Sequence, residues 1–166
     1  RLFSTNNMIE FFDFLNSLNC KYIENALLKN YLTFKVGGPC KAMVFPDNKE
    51  TLAEILKFVS EHNIIFYIIG NGSNLLARDE GYNGIIINTS LLDNIRMDDG
   101  IIYCSSGTPL IKLCRFALDN SLSGIEFAYG IPGTVGGAVF MNAGAYGGEI
   151  KDIILKSEHI DNSFKI

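Results

Sequence analysis

The chain has 166 residues, of which 48% are hydrophobic and 19% charged, with a formal net charge of -4. Such a composition belongs to ordinary globular proteins of one domain or two small ones, with enough apolar residue to bury a core. The negative balance excludes a global positive field for a nucleic-acid backbone, and no apolar run approaches the roughly 20 residues that span a bilayer, so neither nucleic acid nor membrane is expected as a partner.

At the N-terminal end, Asn7 and Glu10 have capping-box spacing, and Ile9, Phe12, Leu15 and Leu18 recur at helical intervals, which predicts a helix over 8–18. Glu10 and Asp13 fall where a signal peptide would be uniformly apolar, so a cytoplasmic protein is expected. Residues 41–45 read as a short strand ended by Pro46. Asp47 with Glu50 then caps a second helix, whose apolar stripe is Leu52, Ile55, Leu56 and Val59 and whose end falls near His62. The unbroken apolar runs 64–69 and 85–87 suit strands of a sheet covered on both faces, making a β-α-β-β unit.

After Leu91 the pattern changes. Residues 95–97 and 101–104 flank Asp98-Asp99-Gly100, which is hairpin chemistry because glycine tolerates positive φ. Thr108 is then expected to cap a helix with Pro109 at its first position, burying Leu110, Leu113, Cys114, Ala117 and Leu118 and leaving through 120–124. Two αβ subdomains are therefore expected, 1–90 and 91–166, meeting near Ser90. The chain starts at Arg1 and stops after the alternating Ser163-Phe164-Lys165-Ile166, which looks like a strand in progress, so both ends suggest a fragment. Cys20, Cys40, Cys104 and Cys114 form no CxxC pair and have no histidine at metal-ligand spacing; reduced core cysteines and no metal are expected.

Two glycine-rich stretches stand apart from ordinary turns. Gly70-Asn71-Gly72-Ser73-Asn74 follows directly on an apolar strand, and its glycines would let successive backbone N–H groups converge on phosphate oxygens, with Ser73 and Asn74 adding short side-chain donors. A loop that merely turns the chain fits the same residues. The third glycine of a dinucleotide fingerprint is missing, and no GxxxxGK[ST] occurs, which removes both the Rossmann and the P-loop motifs. The second stretch, Gly130 to Gly148, holds seven glycines in nineteen positions, with Pro132 fixing one φ. That density suggests close backbone approach to something flat or charged, with Ile131, Val135, Ala138 and Val139 lying against a flavin ring; a tightly packed crossover is the alternative.

Thr33-Phe34-Lys35-Val36-Gly37-Gly38, Gly70 to Leu76, Gly130 to Ala138 and Asn142 to Glu149, in that order and spacing, resemble the UDP-N-acetylenolpyruvoylglucosamine reductase (UDP-N-acetylmuramate dehydrogenase) family. The resemblance implies an α+β fold, a FAD-binding module of the vanillyl-alcohol-oxidase / p-cresol-methylhydroxylase type with two αβ subdomains. It also implies an oxidoreductase of peptidoglycan synthesis that uses FAD and NADPH, acting as a monomer on a small sugar nucleotide. By the same resemblance Asn71, Gly72, Ser73, Asn74 and Leu75 would meet the FAD pyrophosphate. Gly130, Ile131, Pro132, Gly133, Thr134, Gly136 and Gly137 would pass along the flavin, and Tyr146 would lie near the substrate. His62 and His159 fall outside both loops, so the FAD is expected to be noncovalent. Lys35 stands where the family usually has arginine, keeping the charge but losing bidentate geometry. The family's intermediate-stabilising arginine, proton-donating serine and acidic glutamate fall beyond this stretch, so no catalytic residue is assigned here and the piece alone is expected to be inactive. Glu126 and Glu149 sit near the loops, but carboxylates there are more often solvated or capping. Another flavin oxidoreductase on the same scaffold, or a noncatalytic nucleotide-binding module, are the rival readings.

Overall fold

A computed structural model describes residues 5–161 together with 163 and 164. The N-terminal half contains α1 (Thr5–Ser17), β1 (Lys21–Glu24), β2 (Cys40–Phe45), α2 (Lys49–Glu61), β3 (Phe66–Ile69) and β4 (Tyr82–Asn88). Its four strands lie in the order β1-β2-β4-β3. β2 and β3 run parallel to the central β4, and β1 is antiparallel to β2, with Lys21 opposite Phe45 and Glu24 opposite Ala42. The sequence reading missed β1, because Lys-Tyr-Ile-Glu is too short an alternation to register.

Alternation along β2 and β4 sends successive side chains to opposite faces. Val44, Ile85 and Ile87 pack with Phe11 and Leu15 of α1 and with Ile55 and Val59 of α2. Met43 and Ile86 face the other way, onto Ala26, Leu28 and Leu32 of the chain between β1 and β2. Phe11 and Leu15 have no exposed surface, and burying each contributes about 1.5–3 kcal/mol. The partly exposed pair between Glu10 and His62 Nε2, at 3.6 Å, is of a kind that contributes about 0–1 kcal/mol, so packing holds α1 in place.

Several local expectations need correction. α1 begins at Thr5, so Asn7 and Glu10 lie inside the helix instead of boxing its start. α2 is capped by Asn48, whose Oδ1 accepts from Thr51 N at 2.7 Å, while Asp47 accepts from Asn48 Nδ2; the helix does end at His62. β3 is an edge strand and not doubly covered: Ile65, Tyr67 and Ile68 are about half exposed, because an apolar run alone does not distinguish a central strand from an edge. β4 fulfils the buried-strand reading, with Ile85, Ile86 and Ile87 all buried.

The hairpin β5 (Ile95–Asp98) and β6 (Ile101–Cys104) turns at Asp99 and Gly100, with φ of 47° and 75°, the two positive values that a tight hairpin favours. α3 (Leu110–Asp119) follows. Pro109 occupies its cap position, and the fully buried Thr108 hydroxyl donates to Asn94 O at 3.2 Å instead of capping the helix. Leu110, Leu113, Cys114 and Ala117 are buried as expected, whereas Leu118 is exposed on the far side of the helix. Beyond it come α4 (Val135–Met141) and a small hairpin, β7 (Gly144–Ala145) with β8 (Gly148–Glu149). A third cluster, Leu110, Cys114, Ala128, Ala138 and Ile150, joins α3 to α4 and to the turn after β8. Ser163 and Phe164 sit in a turn and not a strand, with Phe164 N donating to Asp161 O at 2.9 Å. Lys165 and Ile166 lie outside the described residues.

All four cysteines are unpaired thiols; Cys20, Cys40 and Cys114 are buried and Cys104 is half-buried. Burial pushes each thiol up, Cys40 to about 11. Among the described residues no helix is long and apolar enough to cross a membrane.

Candidate functional site

The two glycine-rich stretches, sixty residues apart in sequence, meet in space. β3 ends at Ile69, and the chain turns at once through Gly70. A Cβ on Gly70 would lie 2.1 Å from Thr134 Oγ1, so only glycine lets the first loop approach the second this closely. The Ser73 hydroxyl donates to the Pro132 carbonyl, Asn71 Nδ2 reaches the same oxygen at 3.4 Å, and Asn74 Nδ2 lies 3.8 Å from Met141 Sδ.

Gly72 is the pivot of the first loop. It is buried with φ of 62°, and a Cβ there would meet Leu32 Cδ2 at 2.6 Å and Tyr31 O at 2.7 Å. Its carbonyl accepts from Thr33 N at 3.2 Å, which tethers the loop to the chain preceding β2. Among the described residues, the backbone N–H groups of Asn71, Gly72, Ser73 and Asn74 donate to no protein acceptor. Four successive amides without a protein acceptor, beside exposed or half-exposed side chains, make a donor-rich stretch of the kind that takes an anion. Leu75 is half-buried and packs on the core below.

The second segment is built differently. Thr134 caps α4 through Gly137 N at 3.4 Å, Val135 N donates to Thr108 O at 2.8 Å, and Gly136 N donates to Ser106 O at 2.7 Å. Ile131 N and Gly133 N also bond within the chain. A Cβ on Gly136 would sit 2.7 Å from Ser106 Cβ, so at this position the packed-crossover reading holds. At Gly130 nothing lies within 4 Å of a Cβ, and at Gly133 only Leu110 Cδ1 does, at 3.8 Å; those positions face open space. Ala138 is buried, and Ile131, Val135 and Val139 pack on the third cluster, so these side chains belong largely to the core and not to a ligand-facing surface. The apolar groups actually presented to solvent are Phe140, Met141 and Tyr146, the last 97% exposed at the tip of the β7–β8 hairpin.

Sequence reasoning missed the Ser105–Thr108 loop, which anchors the second segment. Gly107 N donates to Leu92 O, Thr108 N donates to Ser105 O, and the Thr89 hydroxyl donates to Ile69 O at the base of the first loop. The signal was present as Ser-Ser-Gly-Thr between a hairpin and a helix, but those residues read equally well as a helix start. The Thr33 to Gly38 segment supports the first loop from below: besides the Thr33 tether, Gly38 N donates to Arg78 O at 2.9 Å, and Lys35 takes a left-handed φ of 56°. Glu126 accepts from Gly124 N at 2.8 Å. Glu149 bonds Lys151 and Asn142, Lys151 first in effect, and is held below the usual carboxylate range. Both carboxylates thus serve local backbone structure.

The architecture is that of the flavin modules of the vanillyl-alcohol-oxidase / p-cresol-methylhydroxylase type. Its fold superposes on p-cresol methylhydroxylase with a TM-score of 0.52, covering 72% of this chain and 26% of that one at 15% identity. Residues 40–163 match the family described as the FAD binding domain, and the chain belongs to that family. Within it the chain is similar to the UDP-N-acetylenolpyruvoylglucosamine reductase of Caldicellulosiruptor saccharolyticus, at 44% identity over 152 residues, 92% of this chain and 49% of that protein. The crystal structure of UDP-N-acetylenolpyruvylglucosamine reductase from Thermus caldophilus superposes with a TM-score of 0.63 at 34% identity, covering 78% of this chain and 44% of that one. The chain spans about half the length of the curated relatives it matches.

Proposed function

We propose that this chain is the flavin-binding part of a cytoplasmic, NADPH-using reductase that converts the enolpyruvyl ether of UDP-N-acetylglucosamine to UDP-N-acetylmuramate for peptidoglycan. The observation that carries the reading is the row of open amides at Asn71 to Asn74, set against the Pro132–Thr134 turn in a chain of the FAD-binding family. These residues fit a pyrophosphate: backbone donors are available without a basic side chain, and in the second segment Gly130 and Gly133 leave uncrowded backbone. FAD, when bound, supplies hydride transfer from NADPH to the enolpyruvyl double bond.

The chain's own residues bind and orient. Asn71, Gly72, Ser73 and Asn74 would hold the diphosphate, with Leu75 fixing the loop to the core below. Gly130, Ile131, Pro132, Gly133, Thr134, Gly136 and Gly137 would form the wall along which the cofactor lies, contributing shape more than donors, since several of their amides are already engaged. Tyr146, exposed on its hairpin, would meet the sugar nucleotide. His62 sits on α2 beside Phe58 and Glu10, away from the loops, which supports a noncovalent FAD. A division near Ser90 into 1–90 and 91–166 places one glycine loop on each subdomain with the cofactor between them. The protein would act as a monomer, with neither nucleic acid nor membrane as partner.

The full-length protein, purified and titrated with FAD, is expected to acquire flavin absorbance and quench flavin fluorescence. Ser73→Ala, which removes the hydroxyl that ties the first loop to the Pro132 carbonyl, is expected to weaken FAD about tenfold, or about 1.4 kcal/mol. A protein that stays colourless after reconstitution points instead to a noncatalytic nucleotide-binding module. Bound flavin without NADPH oxidation in the presence of the enolpyruvyl sugar nucleotide points to another oxidoreductase on the same scaffold.

A further inference from the structure

The first loop also has the geometry of a chemical ageing site. Two Asn-Gly pairs occur in the chain, Asn71-Gly72 and Asn83-Gly84, and a glycine after asparagine leaves the backbone nitrogen unhindered for attack on the preceding side chain. The fold treats the two pairs oppositely. Asn83 and Gly84 lie within β4, where its register with β2 shifts and just before its pairing with β3 begins at Ile85, and a Cβ on Gly84 would fall 2.5 Å from Ile65 O. The strand conformation and the close packing of Gly84 on Ile65 O keep that backbone extended, which hinders its nitrogen from folding back. Asn71 is exposed in a loop of no regular structure, the Gly72 N–H donates to no protein acceptor among the described residues, and the Asn71 amide is restrained only by two contacts of 3.4 Å.

We propose that Asn71 is a site of spontaneous deamidation in the cofactor-free protein. The Gly72 nitrogen, giving up its proton to solvent, bonds to Asn71 Cγ; the Cγ–Nδ2 bond breaks and ammonia leaves with a proton returned from solvent. Water then opens the five-membered imide at either carbonyl, yielding aspartate or an isoaspartyl linkage. One water enters and one ammonia departs, and nothing is oxidised or reduced. The product carries a negative charge among the open amides and has lost the Nδ2 donor, so it disfavours an anionic ligand there. Resting on the diphosphate reading above, a second consequence follows: bound FAD would occupy the Gly72 N–H and shield the site, so the loop ages only while it is empty.

The test incubates the full-length protein, freed of flavin, at mildly alkaline pH, and follows the peptides holding Asn71 and Asn83 by mass spectrometry with isoaspartyl detection. Asn71 is expected to convert at least tenfold faster than Asn83, while in urea, where both merely precede glycine, the two rates converge. Equal rates in the folded protein, or no conversion at Asn71, overturn the proposal. A parallel incubation with saturating FAD separates the two ideas. Protection supports both, whereas unchanged conversion leaves the modification site standing and removes the diphosphate from this loop. The aged form is mimicked by Asn71→Asp, which is expected to bind FAD about tenfold more weakly while unfolding at the same urea concentration as the parent protein.

Discussion

Gly70→Ala tests the contact that joins the two glycine segments. The added methyl would lie 2.1 Å from Thr134 Oγ1, 3.1 Å from its Cγ2 and 3.2 Å from its Cβ, so the threonine must retreat by more than an ångström. It has little freedom to do so, because a β-branched side chain is stiff at χ1 and this hydroxyl caps α4 through Gly137 N. Losing such a cap costs about 0.5–2 kcal/mol, and forcing a methyl into a packed contact costs about 1–3 kcal/mol. A total of about 2–4 kcal/mol is expected, read as a lower urea midpoint at unchanged slope in the absence of flavin. Thr134→Ala alone should cost about 1 kcal/mol, the cap. Because it also removes the atoms that obstruct the methyl, the double variant should cost little more than Thr134→Ala by itself, a coupling of about 2–4 kcal/mol. Additive costs, or a Gly70→Ala protein within about 0.5 kcal/mol of the parent, would refute the packing argument.

Two further predictions concern titrating groups. Burial raises all four thiols, with Cys40 the furthest at about 11, so near-neutral disulfide reagents are expected to find almost no thiolate in the folded protein and to react fully only after unfolding; fast labelling of Cys40 before the unfolding transition would contradict this. Glu149 is held below its usual range by the Lys151 hydrogen bond first and the Asn142 bond second. Its contribution is therefore present above the ordinary carboxylate range and lost as pH falls through the lowered value. In Lys151→Met, NMR titration of the Glu149 carboxyl should move upward toward the usual range, and an unchanged titration would show that Lys151 is not the cause.

The residue pattern by itself determined the α2 helix, the central strand β4, the β5–β6 hairpin and, Leu118 apart, the buried stripe of α3. Each is a local decision, made by period, by turn chemistry or by a continuous β-branched run within one segment. The motifs also marked which loops matter, because glycine at such density has a cost that ordinary turns do not require. Only the tertiary structure decided which of those glycines serve the protein and which leave room. Gly70, Gly72 and Gly136 are filled by Thr134, Leu32 and Ser106, while Gly130 and Gly133 face open space. It also decided that β3 is an edge, that Thr108 bonds to Asn94 and not to the helix it precedes, and that α4 begins with its amides already satisfied by Thr108 and Ser106. These facts depend on partners that lie far away along the chain, and neither spacing nor propensity within a segment can report what a distant segment places against it.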